Sequence, residues 1–106
     1  MTERLNTLLT MIQGAPDDSF IRYALAKEYE YADDTENALK QYLILREIDP
    51  KYVGFYYHLA KLYELIDQPE MALSTYEEGI HVAKGLSDFH ALSELNSAKM
   101  NLEIEM

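Results

Sequence analysis

Cysteine is absent from the 106-residue chain, and that one absence removes disulfides, thiolate zinc sites and cysteine nucleophiles together. It also fits a reducing compartment. Glycine and proline are scarce, at four and three residues, and no low-complexity tract interrupts a sequence that is 48% hydrophobic. A chain of this length and make-up is expected to form one compact domain, burying roughly two-thirds of the surface that its unfolded form exposes. Long apolar runs are missing too. The opening stretch MTERLNTLLTMIQGAPDD carries charge at Glu3 and Arg4 with no apolar run behind them. Neither a signal peptide nor a membrane span is expected, and the cytoplasm is the expected location.

Positive charge is in short supply. Nine Lys and Arg face nineteen Asp and Glu, a net charge of −10. A field of that sign repels phosphate backbones and anionic lipid, so nucleic acid and membranes are not the expected partners. The surplus acid keeps the chain soluble.

The usual marks of catalysis are lacking as well. His58, His81 and His90 have no second histidine or carboxylate in a metal-ligand motif. Glu77-Glu78 and Asp17-Asp18 read as a solvated helix face and a helix start, where acid is favoured by the dipole. There is no glycine-rich phosphate loop and no serine elbow, and Asn37 is followed by Ala38-Leu39, not by a glycosylation signal. The expectation is no enzyme, no cofactor and no metal.

What the chain does have is a repeat. YALAKEYE at 23–30 and YHLAKLYE at 57–64 lie 34 residues apart. Aligning 17–50 with 51–84 extends the identity to Asp33/Asp67, Glu36/Glu70, Ala38/Ala72, Leu39/Leu73 and Tyr42/Tyr76. Each unit reads as two helices. Ile21, Leu25, Tyr29 and Ala32 keep the three-to-four spacing of an apolar helical stripe. ADDTE then interrupts it, with Thr35 as the expected N-cap of a second helix carrying Ala38, Leu39, Tyr42, Leu45 and Ile48. Asp49-Pro50 closes that helix, because proline disfavours helical geometry in the residue before it.

The second unit follows the same plan through Phe55, Leu59, Leu62, Tyr63 and Ile66. Pro69 stands at the first turn of its second helix, where a missing N–H costs nothing. Ala72, Leu73, Tyr76, Ile80 and Val82 continue that helix. Small Ala26, Ala38, Ala60 and Ala72 let helices approach closely, and bulky Tyr29, Tyr42, Tyr63 and Tyr76 fill the surrounding space.

This pattern resembles the tetratricopeptide repeat. Leu25, Ala26, Tyr29, Ala38, Tyr42 and Pro50 match in one copy, and Leu59, Ala60, Tyr63, Ala72 and Tyr76 in the other. The usual early tryptophan is Arg22 or Tyr56, the frequent glycine is alanine, and Lys84 replaces the closing proline. The resemblance implies an all-α superhelix of about six antiparallel helices. Its parts would be an N-terminal helix at 2–13, repeats at 17–50 and 51–84, and a capping helix at 87–105 that carries Phe89, Leu92, Leu95, Ala98 and Leu102.

In this family the first helix of each pair lines a concave, ligand-holding surface. Projection from the buried positions brings Phe20, Tyr23, Ala24, Lys27, Glu30 and Tyr31 there from one copy. The other copy brings Gly54, Tyr57, His58, Lys61, Glu64 and Leu65. The resemblance thus implies an interaction module for a protein or peptide. The repeated Tyr-Lys pair would meet an acidic or C-terminal segment, although Glu94 stands where a full carboxylate clamp has a basic residue. In the competing view Lys27 and Lys61 only pair with Glu30 and Glu64 three residues on. Self-association through the terminal helices, giving a homodimer, is a further expectation.

Overall fold

The computed structural model describes residues 2–106. They form six helices: α1 (Glu3–Gly14), α2 (Ser19–Tyr31), α3 (Thr35–Ile48), α4 (Gly54–Leu65), α5 (Pro69–Leu86) and α6 (Phe89–Glu105). The fold is all-α. It divides into two compact units, Met1–Tyr52 and Val53–Met106.

Carboxylates and a hydroxyl set the starts of α1, α2, α3 and α6. Thr2 Oγ1 accepts from the Leu5 N–H at 3.0 Å, and Asp18 accepts from the Ile21 N–H at 2.9 Å. Asp34 accepts from the Asn37 N–H at 3.2 Å, and Asp88 from the Ala91 N–H at 3.1 Å. Each satisfies a donor that has no partner inside the helix. The Asn37 side chain also donates to Asp34, which holds that carboxyl below its ordinary value. Thr35 is therefore not the cap expected from the sequence. The carboxylate one residue earlier takes that role, and Thr35 becomes the first residue of α3.

The ends of α2, α4 and α5 share one closing geometry. Asp33, Asp67 and Ser87 sit in the left-handed region, with φ of 57°, 61° and 55°. The next residue's N–H reaches back to the helix: Asp34 to Tyr29 O at 2.9 Å, Gln68 to Tyr63 O at 2.8 Å, and Asp88 to Ala83 O at 2.9 Å. The left-handed residues donate to Glu30 O, Glu64 O and Lys84 O. These six-to-one and five-to-two bonds make a Schellman turn, here without glycine. Aspartate tolerates the left-handed region better than most side chains, which gives the Asp33/Asp67 identity a backbone reason.

In the first unit Leu5, Leu8 and Ile12 of α1 pack on Ala24 and Leu25 of α2, with Leu9, Ile21 and Tyr29 at the margin. Ala26, Ala38, Tyr42 and Leu45 are fully buried. In the second unit α4, α5 and α6 bury Phe55, Tyr56, Leu59, Ala60, Ala72, Tyr76, Ala83, Leu95 and Leu102, among others. Three residues expected on apolar stripes are exposed. Ala32 and Ile66 are C-caps and leave the packed face as the helix ends. Phe89 opens α6 and is 73% exposed. α5 also continues through Gly85 to Leu86, past the expected repeat end at 84, because a glycine weakens a helix without breaking it.

Two glycines of α5 have opposite surroundings. A Cβ on Gly79 would lie 2.6 Å from Tyr56 Cβ of α4 and 3.1 Å from a Leu95 methyl of α6, whereas one on Gly85 meets nothing within 4 Å. Gly79→Ala should therefore destabilise by about 1–3 kcal/mol through overpacking. Gly85→Ala should stabilise by roughly 0.5–1 kcal/mol by restricting the unfolded chain. Urea denaturation of both variants checks the pair, and the same sign for both would remove the packing argument.

Candidate interaction site

On α2 of the first unit, Phe20 and Tyr31 are open to solvent at 67% and 72% exposure. Tyr23 is half-buried, its ring centroid 5.5 Å from that of Tyr52 and 6.3 Å from that of Tyr42. Lys27 Nζ stands 3.8 Å from a Glu30 carboxylate oxygen and 5.5 Å from the Tyr31 ring centroid. Ala24, which the projection turned outward, is buried. Its methyl lies in the core with Leu5, Leu8 and Ile12, so it offers nothing to a ligand.

On α4 of the second unit, Gly54 and Lys61 are exposed, and Leu65 is 71% exposed. Tyr57 and His58 are half-buried and meet edge to face at 5.5 Å and 83°. Lys61 Nζ lies 3.6 Å from Glu64 and 5.6 Å from the Tyr57 ring centroid. Both repeat lysines thus pair with the glutamate three residues on. Each also lies near a ring, but a different one: Tyr31 follows Lys27 by four residues, whereas Tyr57 precedes Lys61 by four. Position 65 is leucine where position 31 is tyrosine.

Those glutamates have a second partner. The Tyr42 hydroxyl of α3 donates to Glu30 of α2, and the Tyr76 hydroxyl of α5 donates to Glu64 of α4. Both bonds span twelve residues. Burial pushes the Tyr42 and Tyr76 phenols well above their ordinary value of 10.0, and the glutamate that accepts the hydrogen bond adds to the rise. Tyr23 and Tyr52 are also raised, chiefly by burial. Each unit therefore carries a Tyr–Glu–Lys relay in which a buried phenol fixes the carboxylate and the carboxylate holds the ammonium. All six of those residues already stood among the identical pairs; a phenol and a carboxylate repeated at a constant separation was the available signal.

Of what α6 supplies, sequence reasoning had named only Glu94. Between α4 and α6 lies an open cleft of about 330 Å³, where Tyr57 and Lys61 face His90, Ser93, Glu94, Ser97 and Asn101. His90 Nε2 is 3.4 Å from Glu94. The cleft gathers one flat ring, one ammonium, one carboxylate and several small hydrogen-bonding groups. Phe20, Tyr23, Lys27 and Tyr31 belong to the other unit. Among the described residues no cluster of three or more His, Asp and Glu is placed to hold a metal ion. No helix of the described residues is long and apolar enough to cross a membrane.

No family model and no curated protein matches the sequence. Among solved structures, a tetratricopeptide repeat domain protein from Salinibacter ruber is 48% identical, over 83% of this chain and 89% of its own, with a TM-score of 0.80. Two others are similar in fold alone. PcrH, in complex with the chaperone binding region of PopD, is 13% identical over 95% of this chain and 77% of its own, with a TM-score of 0.88. The TPR2B domain of yeast Sti1, in a complex with pHsp70, is 17% identical over 96% and 82%, also with a TM-score of 0.88.

The relay predicts an alkaline limit. Phenols whose folded value is raised keep their protons in the fold while the unfolded chain releases them near 10.0. Their contribution is fully present below that value and is lost as pH rises beyond it. Stability to urea should fall steeply above pH 10.0, and the part of the tyrosinate absorbance that Tyr42→Phe/Tyr76→Phe removes should appear only as the fold opens. Tyr42→Phe with Tyr76→Phe should cost about 1 kcal/mol per site at neutral pH and flatten the alkaline slope. An unchanged slope would assign the alkaline loss to other groups.

Proposed function

The chain belongs to the tetratricopeptide repeat family, and we propose that it is a non-enzymatic cytoplasmic adaptor that holds a peptide or partner helix on the first helices of its repeats. The observation that carries this reading is the exposed Lys61 beside Tyr57, at the edge of the cleft between α4 and α6. A tyrosine ring offers broad contact area at little entropic cost. Ser93, Ser97 and Asn101 can serve the N–H and C=O groups of an extended chain. The complexes of PcrH with a region of PopD and of the Sti1 domain with pHsp70 support the same class of role.

The contact residues of this reading are Phe20, Tyr23, Lys27 and Tyr31 on α2, and Gly54, Tyr57, His58, Lys61 and Leu65 on α4. Lys61 would meet a carboxylate of an acidic segment or a chain terminus. It does so without a second cation in the clamp position, since Glu94 lines the same cleft. The net charge of −10 opposes an acidic ligand at long range. Recognition therefore depends on contact at Lys61 and not on steering. On the same charge, nucleic acid and membranes form no part of the proposal.

The test is affinity capture from the native cell extract with wild type and with Tyr57→Ala/Lys61→Glu. Lys61 is exposed and Tyr57 only half-buried on α4, so the helical signal and the melting temperature should change little. A partner retained by wild type should fall by roughly tenfold or more in the variant, as expected when a central aromatic and a charge are lost together. Equal capture by both proteins would remove the cleft from the reading.

A further inference from the structure

Shifted by 33 residues, α4 and α6 share one register: Leu62 falls on Leu95, and both are buried. Tyr57 then falls on His90, and Lys61 on Glu94. All four side chains line the cleft of about 330 Å³, which therefore has two rungs. One sets a phenol ring opposite an imidazole. The other sets an ammonium opposite a carboxylate, so the charge reverses between equivalent positions. Each charge pairs along its own helix: Lys61 Nζ is 3.6 Å from Glu64, and Glu94 is 3.4 Å from His90 Nε2. Both also stay open to solvent, with 44% and 55% of their side chains exposed. An ammonium has several donors and a carboxylate several acceptor sites, so each can keep its neighbour and take a ligand group as well.

The direction of the helices sets how those ligand groups are spaced. Short turns at 66–68 and 87–88 join α4 to α5 and α5 to α6, so α4 and α6 run the same way. A chain laid along them in extended form turns successive side chains to opposite sides. A residue that faces Lys61 on α4 therefore has a sequence neighbour that faces Glu94 on α6. Tyr57 lies four residues before Lys61, roughly 6 Å along the helix. That is about the span of two residues in an extended chain.

Charge narrows the choice of occupant. A purely acidic segment is repelled by the net −10 of the chain and sets like charge against Glu94. A purely basic one sets like charge against Lys61. Adjacent charges of opposite sign are neutral at long range and complementary at contact.

We infer that the cleft between α4 and α6 selects a dipolar peptide segment, with an acidic residue against Lys61 and an adjacent Lys or Arg against Glu94. An apolar residue two positions from the acid lies on the Tyr57 ring. This selectivity rests on the reading of the cleft as a peptide site.

The probes are labelled peptides of about eight residues, roughly 26 Å when extended, blocked at both ends and sharing one Leu. They differ in one adjacent pair: Glu-Lys, Lys-Glu for the opposite chain direction, Glu-Glu, Lys-Lys or Gln-Gln. Fluorescence anisotropy is read at about 0.15 M salt, where long-range charge is largely screened. The tighter of the two mixed peptides should have a Kd roughly threefold or more below each of the other three. Glu94→Lys should make Glu-Glu the tightest, and Lys61→Glu should favour Lys-Lys. Both positions are exposed, so these variants should keep their helical signal. A peptide ending in Lys with a free carboxylate tells a chain terminus from an internal Glu as the source of the acid. Glu-Glu binding wild type as tightly as the mixed pair, or a ranking that Glu94→Lys leaves unmoved, overturns the dipolar selectivity and leaves the cleft a peptide site. Binding of none of the peptides overturns it too, and the peptide-site reading is then decided separately by capture with Tyr57→Ala/Lys61→Glu.

Discussion

A buried phenol reaching across a helix pair to a carboxylate is the contact on which both repeat units depend. Tyr42 donates to Glu30 and Tyr76 donates to Glu64, and in each case the acceptor is also the partner of a surface lysine. The bond has two consequences. It settles a polar group that would otherwise be costly inside a packed helix pair, and it pins a glutamate that could swing freely on an isolated helix. The lysine is thereby held near a ring instead of sampling solvent. Packing inside the unit and charge on its surface are one arrangement.

Much of the fold was legible in the sequence because spacing alone carries it. Leu5, Leu8 and Ile12, then Leu25, Ala38, Tyr42 and Leu45, fall at helical intervals and are buried as expected. The helix ends were less legible. Thr35 and Asp34 are both good caps, and only the backbone decides which of them has its side chain over the free N–H groups. The extension of α5 through Gly85 was hidden for a related reason: a glycine can end a helix or lie within one, and Ser87 takes the left-handed turn instead.

The candidate site was legible only in part. Tyr57 and Lys61 do share an accessible edge, but the other wall of their cleft comes from α6, some thirty residues on, where the repeat has decayed to a few matches. Identity at equivalent positions also concealed a difference. Lys27 and Lys61 correspond, yet the ring that follows Lys27 at Tyr31 has leucine, Leu65, in its place after Lys61. A repeat copies the scaffold more faithfully than it copies the surface.

The glycine-free Schellman turns carry a kinetic consequence. Each closes within a handful of residues, and the residue after the left-handed one begins capping the next helix almost at once: Asp34 for α3, Asp88 for α6. Aspartate and serine at those corners leave the denatured chain fewer conformations to search than glycine would. With every major helix contact falling between neighbours in sequence or next-neighbours, loop closure is short throughout, the topology that gives fast folding. Hairpins of this kind can assemble one after another along the chain, without waiting for distant segments to meet.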